Sequence, residues 1–356
     1  MRTICVSLVV GAALSLAALS SVAQTPMQIY GVWHCSNDSC IWGTVRNMKE
    51  FDTDNHWLVD RGDGKPSVNL VVLSFIQPEK LLNLSNDSQT VNGIPIGMTR
   101  AVVRYFTRRD IRVMMSIGGA TYVTPWDTAL STNATQLGIN AANAARRLGV
   151  GMEIDYENNT NPNLAGLQAF ISAYRAREPY DPTGRNPAAR LTIDLGAWDQ
   201  YLTPIARMAT TRWLNTSHPV LDYANAMVPD GQPTPDAAES YWQQHIDGNR
   251  QYNPPVPPLA PARFTVSLFL VTGPKPAPEC VDFRSSVQRR TGRYVQTVKP
   301  NGAGVTAGLL GYMFWAAGCQ GGHTVCTSPP NTCQGGLGMG ASKYKIPIPM
   351  PPLRQE

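Results

Sequence analysis

The sequence has few charged residues and lacks the short motifs that mark several common catalytic sites. Asp, Glu, Lys and Arg make up 15% of 356 residues, and the net charge of +5 has no basic run behind it, so nothing argues for nucleic-acid binding. No G-x-S-x-G, H-E-x-x-H or G-x-x-x-x-G-K-[ST] segment occurs, which leaves those hydrolase, zinc-protease and phosphate-loop chemistries unsupported. An apolar content of 43% excludes a disordered chain.

The N-terminal segment has the layout of a secretory signal peptide. Arg2 precedes an apolar stretch over residues 4–19, and small residues precede a cleavage position after Ala23. An uncleaved membrane anchor is the alternative, but the stretch is short for a span of roughly 20 residues. No later run is apolar enough to cross a bilayer. We therefore expect residues 1–23 to be removed and the mature chain to be soluble, monomeric and secreted or periplasmic.

The cysteines lack the C-x-x-C pairs of zinc sites, and an even number remains after signal cleavage. In an exported protein this pattern predicts three disulfides, whereas a metal site is the less favoured reading. Cys35 and Cys40 are close enough to close a small loop, and the pairing of the other four stays open. The six cysteines are Cys35, Cys40, Cys280, Cys319, Cys326 and Cys333.

The histidines also give no support for a metal or cofactor, and we expect neither. They are scattered, no pair has helical ligand spacing, and we expect each on the surface or in a loop. The five are His34, His56, His218, His245 and His323.

Short apolar runs alternate with amphipathic helical stretches along the chain. Several runs are almost continuously apolar, as expected of parallel strands buried on both faces. Eight such runs are present: residues 28–33, 68–76, 112–117, 149–156, 190–197, 221–228, 264–271 and 308–315. Helices are predicted between most of them, including residues 99–110, residues 135–148 and a helix that begins at Asn161-Pro162.

Eight strands with intervening helices predict an α/β fold of the (β/α)8 TIM-barrel type over residues 24–320. An open doubly wound sheet is the alternative, but the first strand is not followed by the Gly-rich turn that such sheets use. The first crossover, residues 43–67, has weak helical periodicity, and the last helix is short or missing. Residues 321–356 form a Cys-, Gly- and Pro-rich tail that packs on the barrel or trails it.

The fourth predicted strand carries three alternating acids. Glu153, Asp155 and Glu157 fall on one face, and Ile154 and Tyr156 fall on the other. The apolar pair suits the helix-facing side of a barrel, which turns the acids inward. Active sites of this fold lie at the C-terminal ends of the strands, where these acids are expected.

The spacing of the acids predicts raised pKa values. Neighbours on one face of a strand are roughly 6.6 Å apart, and partly desolvated carboxyl groups at that spacing cannot all ionise at low cost. A shared or retained proton suits a general acid near neutral pH. The structural alternative is an acidic strand end that pairs with arginines or binds a hard cation.

At these residues the sequence resembles the family 18 glycoside hydrolases, the chitinases and endo-β-N-acetylglucosaminidases. Residues 150–157, Val-Gly-Met-Glu-Ile-Asp-Tyr-Glu, are similar to the family's D-G-x-D-x-D-[WYF]-E. Residues 115–119 are similar to its S-x-G-G block, residues 221–230 to its M-x-Y-D block, and residues 311–315 to the strand that ends in a tryptophan. The blocks occur in family order and span nearly all of the mature chain.

The resemblance implies substrate-assisted retaining hydrolysis. Glu157 would protonate the glycosidic oxygen, Asp155 would orient the substrate's 2-acetamido group, and Glu153 would share a proton with Asp155. Trp315 would form the floor beneath the sugar. The third- and sixth-strand blocks would bring Gly119, Met227 and Asp230 to the substrate.

Three positions depart from the family pattern. Val150 replaces the first Asp of the fourth-strand motif, and Glu153 replaces the second with a longer side chain. Pro229 stands where the family has a tyrosine that hydrogen-bonds the acetamido carbonyl. Proline cannot donate that bond, so another donor has to serve, and we name Tyr122 as a substitute.

Several tryptophans follow predicted strand ends, where a sugar cleft would need flat apolar rings. Trp33 and Trp315 are predicted to line the site. Trp198 follows the fifth strand, and Trp126 lies in the predicted loop after the third. Each of them, taken alone, is also compatible with a place in the core.

Three functions are compatible with these observations. The first is an exported glycosidase acting on β-1,4-linked N-acetylglucosamine, with chitin oligomers preferred over N-glycan cores or peptidoglycan-derived sugars. The second is a non-catalytic glycan-binding barrel that lost the tyrosine at Pro229. The third is a barrel of other chemistry, such as a metal-dependent hydrolase that uses the same acids.

Overall fold

The computed structural model describes residues 29–60, 66, 68–214, 220–227, 235–269 and 309–319. The predicted signal peptide and the predicted tail lie outside these residues. So do the crossover before the last strand and any helix after it. Within the described residues, no helix is both long and apolar enough to span a bilayer.

Eight parallel strands close into a barrel, which confirms the predicted (β/α)8 fold. Each strand pairs with its sequence neighbours, and the first pairs with the last. A separate two-stranded hairpin, Thr90–Val91 with Ile94–Pro95, lies outside the barrel. The barrel strands are β1 (Ile29–Asp38), β2 (Leu70–Ile76), β3 (Arg112–Gly118), β4 (Gly151–Asp155), β5 (Leu191–Leu195), β6 (Ala224–Ala226), β7 (Phe264–Phe269) and β8 (Gly311–Cys319). All eight predicted strands are confirmed.

Helices occupy the crossovers that the structure describes. The weakly periodic first crossover contains a regular helix, α1. The helices are α1 (Met48–Val59), α2 (Pro78–Leu82), α3 (Arg100–Thr107), α4 (Val123–Leu148), α5 (Leu164–Arg177), α6 (Thr203–Met208) and α7 (Pro235–Asp247).

Two helices begin at residues other than those predicted. α5 is capped by Asn163, whose side chain accepts a hydrogen bond from the backbone N–H of Gly166, and not by Asn161. α4 begins at Val123 and not near Thr135, but it is kinked at Asn133. The Asn133 side chain accepts from the backbone N–H of Gln136 and so caps the segment that the sequence predicted.

The alternation along each strand separates two apolar regions. Residues of one parity, such as Ile154 and Tyr156 of the β4 segment, pack against the helices in the main core. Residues of the other parity fill the barrel interior, where Trp33 and Met313 belong to a smaller apolar cluster. The acids of β4 have this second parity and therefore face inward.

Two histidines contradict the expectation that all lie on the surface or in loops. His34 on β1 is completely buried, and it donates from Nε2 to Asn55 because its Nδ1 accepts from the backbone N–H of Ser36. His245 on α7 is also buried, and its Nε2 bonds the carbonyl of Gly196. An uncharged imidazole with its polar atoms satisfied is stable inside a core.

Candidate active site

A cavity of about 620 Å³ opens at the C-terminal ends of the strands. Its wall is mainly apolar and aromatic, and three carboxyl groups reach it. The lining residues are Trp33, Ser39, Cys40, Ile41, Phe75, Ala120, Thr121, Tyr122, Asp155, Glu157, Asp194, Ala197, Trp198, Tyr201, Met227 and Trp315.

The β4 acids take three successive depths in the barrel. Glu153 is fully buried below the cavity, Asp155 is 5% exposed in its floor, and Glu157 is partly exposed just beyond the strand end. The carboxyl groups of Asp155 and Glu157 are hydrogen-bonded to each other and so share a proton. The inward arrangement predicted from alternation is therefore present.

Two glycines of β3 and its end hold the C-terminal end of β4. Gly118 has a φ of 122°, and a Cβ there would lie 1.8 Å from the carbonyl oxygen of Asp155, so only glycine fits. The N–H of Gly119 donates to the same oxygen at 3.0 Å, and Trp126 Nε1 donates to it at 2.9 Å. These contacts fix the backbone at the position from which the Asp155 side chain enters the cavity.

A second set of contacts holds the loop that carries Glu157. The hydroxyl of Tyr156 donates to Asp127 on α4, and Asn158 Nδ2 bonds both oxygens of that carboxylate. The side chain of Asn159 accepts from the N–H of Leu202, which joins this loop to the one after β5. Glu157 is thus placed by contacts on both sides of the chain.

Burial raises the pKa of each β4 acid above its ordinary value. For Asp155 the cause is desolvation, followed by repulsion from Glu157 and Glu153. Desolvation raises the pKa of Glu157, and hydrogen bonds from Tyr201 and Asp155 partly offset the rise. Desolvation also raises the pKa of Glu153 to about 7. A proton is therefore retained near the cavity at neutral pH, as the spacing of the acids predicted.

Glu153 is held by donors from two other strands. Trp33 Nε1 donates to Oε1 at 2.8 Å from β1, and Asn225 Nδ2 donates to Oε2 at 2.6 Å from β6. Trp33 therefore has two roles, because it both lines the cavity and bonds the buried acid. The sequence predicted only the first.

A fourth carboxyl group, Asp194 on β5, was missed by the sequence reasoning. It is 2% exposed, lines the cavity and accepts from Asn225 Nδ2 at 3.1 Å. Desolvation raises its pKa well above the ordinary value, followed by repulsion from Glu153 and Asp155. The detectable signal was an acid in the apolar strand Leu191–Leu195, at a position where the alternation of side chains points into the barrel.

An aromatic platform forms one wall of the cavity. The ring of Trp315 stacks on Phe75 with centroids 5.7 Å apart and planes 26° apart, and it lies 6.3 Å from Trp33 at a tilt of 59°. Another pair, Trp198 and Tyr201, has centroids 6.0 Å apart and also lines the cavity. Trp33 and Trp315 therefore both line the cavity.

The predicted Cys35–Cys40 disulfide is present and closes the loop after the first half of β1. Cys35 and Cys40 pack with Ala316 against Trp315 and Phe75. The carbonyl of Cys40 also accepts from the N–H of Phe75 at 2.8 Å. The small covalent ring thus supports the aromatic platform from behind.

Other predicted site residues have different places. Tyr122 and Met227 line the cavity, whereas Gly119 contacts Asp155 through its backbone and is not part of the lining. Trp126 lies in α4 and not in the predicted loop, and it is fully buried, as its core alternative implied; its indole donates to backbone carbonyls.

Some predicted residues lie outside the described residues. They are Pro229, Asp230, Cys280, Cys326 and Cys333, together with the side chain of Cys319. Among the residues that are described, no three His, Cys, Asp or Glu side chains are arranged to hold a metal ion.

The fold is similar to that of solved chitinases. A family 18 (GH18) chitinase from Pseudoalteromonas aurantia aligns with 12% identity and a TM-score of 0.50, over 80% of this chain and 93% of that one. A chitinase from Aspergillus fumigatus aligns with 13% identity and a TM-score of 0.48, over 80% and 90% of the two chains. A class V chitinase from Nicotiana tobaccum aligns with 13% identity and a TM-score of 0.47, over 81% of this chain and 94% of that one.

No family model and no curated sequence matches the chain. At such low identity the structural likeness demonstrates a shared fold. The resemblance drawn from the sequence motifs is confirmed at the level of the fold.

Proposed function

We propose that this protein is an exported retaining glycosidase that hydrolyses β-1,4-linked N-acetylglucosamine, with chitin oligomers as its first substrates. One observation carries the proposal. The hydrogen-bonded carboxyl pair of Asp155 and Glu157 faces the same cavity as the stacked rings of Trp315 and Phe75. A sugar ring that lies on the rings would present its glycosidic bond to the acids.

In the first step, Glu157 protonates the glycosidic oxygen, and the bond between that oxygen and the anomeric carbon breaks. The carbonyl oxygen of the substrate's 2-acetamido group forms a new bond to the anomeric carbon, which gives an oxazolinium ion. Asp155 accepts the N–H of the acetamido group and stabilises its positive charge. In the second step, Glu157 takes a proton from water, and the water oxygen displaces the acetamido oxygen.

The electrostatics of the pair suit these roles. Burial raises the pKa of Glu157, which is the direction that a general acid requires. Asp155 is almost fully buried, and its Oδ1 has no hydrogen-bond partner in the described part of the chain. A buried acceptor without a partner is costly, so a substrate N–H donated there would be favoured.

The missing sixth-strand tyrosine leaves the acetamido carbonyl in need of a donor. Tyr201 supports this proposal better than Tyr122, because its hydroxyl lies 3.3 Å from Glu157 Oε2 and therefore beside the reacting groups. Tyr122 lines the cavity as well, but no hydrogen bond joins its hydroxyl to the acids among the described contacts.

Product analysis tests the function directly. The mature protein is incubated with chito-oligosaccharides and, separately, with a high-mannose glycopeptide, and the products are read by mass spectrometry. Cleavage between N-acetylglucosamine residues of the oligomers is expected, and the β-anomer should appear first if configuration is retained. Cleavage of the glycopeptide alone would identify an endo-β-N-acetylglucosaminidase instead. Loss of activity in a chelator would indicate metal-dependent chemistry and contradict the proposal.

A glycan-binding barrel without catalysis is the second candidate, and the proline at position 229 favours it. Glu157→Gln separates the two, because the amide keeps the shape but cannot donate the acidic proton. Under our proposal, hydrolysis falls by at least about 10²-fold while oligosaccharide binding persists. A wild-type protein that binds but never hydrolyses, indistinguishable from the variant, would establish the binding function.

A further inference from the structure

Asp194 and Glu153 lie on adjacent strands, and both side chains point into the barrel interior. β4 and β5 pair in register at Glu153 and Thr192, which brings Asp194 to the next inward position toward the cavity. The two carboxyl groups are hydrogen-bonded to each other, and both accept from the same amide nitrogen of Asn225. Such a bond requires one proton between two acids.

The amide of Asn225 joins this pair from β6. Its Nδ2 donates to Glu153 Oε2 at 2.6 Å and to Asp194 Oδ1 at 3.1 Å. The orientation of the amide is determined by Thr265 on β7, whose hydroxyl donates to Asn225 Oδ1 at 2.5 Å. A single amide thus holds the two acids in a defined geometry.

The surroundings of the pair provide no positive charge in the described part of the chain. The charged groups that face Asp194 are Glu153 and Asp155, both from β4. β1 and β6 contribute the uncharged donors of Trp33 and Asn225, and the buried phenol of Tyr223, just before β6, also lies near Glu153. Two ionised carboxylates in contact, buried and without a cation, would be very costly, so the pair has to retain a proton.

We propose that Asp194 is a positioning residue of the hydrolysis, and that its protonated carboxyl fixes Glu153 beneath Asp155. This inference rests on the proposed function. By keeping Glu153 hydrogen-bonded below, the pair limits the negative charge next to Asp155, so that Asp155 can be ionised while Glu157 holds the proton.

The titration of the interior is consistent with this arrangement. Burial raises the pKa of Glu153 to about 7, and burial with repulsion from Glu153 and Asp155 raises that of Asp194 well above its ordinary value. Both shifts favour a proton held by the pair. A neutral hydrogen-bond donor with the shape of the Asp194 carboxyl should therefore be able to replace that carboxyl.

Two substitutions test the role. In Asp194→Asn, the amide nitrogen takes the place of the acidic O–H toward Glu153, and Oδ1 still accepts from Asn225. Its kcat, KM and pH profile should stay within about threefold of wild type. In Asp194→Ala, the donor is lost, and kcat should fall on the order of tenfold to hundredfold with KM little changed and the pH profile displaced.

Two kinetic results would overturn the assignment. If Asp194→Asn is as damaged as Asp194→Ala, the proton of Asp194 is transferred and the residue is not merely positioning. If the main effect is a rise in KM, Asp194 contacts the substrate directly from the cavity wall. The control is Thr192→Val on the same strand and face, whose buried hydroxyl has no hydrogen-bond partner among the described residues. It should leave all three parameters unchanged.

A measurement without substrate separates this inference from the proposed function. If Asp194 is protonated in the folded state and ionised when unfolded, the wild-type unfolding constant should rise by up to about tenfold per pH unit above pH 5. Because Asp194→Asn lacks that proton, its curve should diverge steadily from wild type between pH 5 and 9. Parallel curves would overturn the inference even in an active enzyme, whereas divergence would uphold the shared proton even if no glycan were cleaved.

Discussion

The indole nitrogen of Trp33 lies 2.8 Å from Oε1 of Glu153, so an aromatic residue of the cavity wall is also the hydrogen-bond donor to the deepest acid. Both side chains are buried, at 4% and 0% exposure. The platform and the acids are therefore one connected structure, and a change in one is expected to alter the other.

Trp33→Phe should destabilise the fold more at high pH than at low pH. The variant keeps a ring but removes the donor, and an unsatisfied buried carboxylate costs about 1–3 kcal/mol. Because the pKa of Glu153 is about 7, the carboxylate needs this donor mainly above neutral pH. Urea unfolding at pH 5 and pH 8.5 measures the difference. An equal loss of stability at both values would contradict the role of the hydrogen bond.

Tyr201→Phe should shift the pH profile upward. The hydroxyl of Tyr201 donates to Glu157 and lowers its pKa, so the carboxyl should hold its proton to a higher pH once the donor is gone. The alkaline limb of kcat/KM should move to higher pH by up to about one unit, with a fall in kcat if the hydroxyl also serves the acetamido carbonyl. Tyr122→Phe is the matched control, and an identical shift in that variant would refute the assignment.

Trp315→Ala should weaken oligosaccharide binding and turnover together. Its ring lines the cavity and stacks on Phe75, so its loss removes an apolar plate that a sugar ring could lie on. We expect kcat/KM to fall by at least about tenfold, a loss of about 1.4 kcal/mol in transition-state binding. Leu84→Ala, at an exposed position away from the cavity, controls for general destabilisation. Unchanged kinetics in Trp315→Ala would exclude the ring from the site.

His34 should make the fold sensitive to mild acid. Burial lowers its folded-state pKa from 6.5 to about 4, so the unfolded chain binds more protons between these values. Its contribution is complete above pH 6.5 and is lost as the pH falls toward 4, to a total of about 3 kcal/mol. In His34→Gln that part of the pH dependence should vanish. Unfolding free energies from pH 4 to 8 test this, and equal slopes for both proteins would contradict it.

The alternation of side chains allowed the barrel and its acid face to be predicted, but it failed where a strand is irregular. Ile154 and Tyr156 pack against the helices as expected, because β4 is regular. Phe75 reaches the cavity because the pairing of β2 with β3 shifts between Ser74 and Ile76. Such a bulge changes the direction of a side chain, and a single sequence does not reveal it.

Long-range contacts explain the remaining differences. Trp126 became a core residue because its indole finds carbonyl acceptors on β3 and at the end of β4, which are distant in sequence. His34 is buried because Asn55 and the backbone of Ser36 satisfy its ring. Asp194 could have been found from the alternation of β5, since the same reasoning had identified the acids of β4.

The cavity lining described here combines three carboxyl groups with no lysine, arginine or histidine. As these groups ionise, the potential at the mouth becomes negative and opposes the approach of anionic saccharides. Sugars that bear carboxylates, such as uronic acids or lactyl-substituted amino sugars, should therefore be disfavoured relative to neutral acetylated chains. Partly deacetylated chains with free ammonium groups should be attracted, so charge would select among polysaccharides before any ring contact is made.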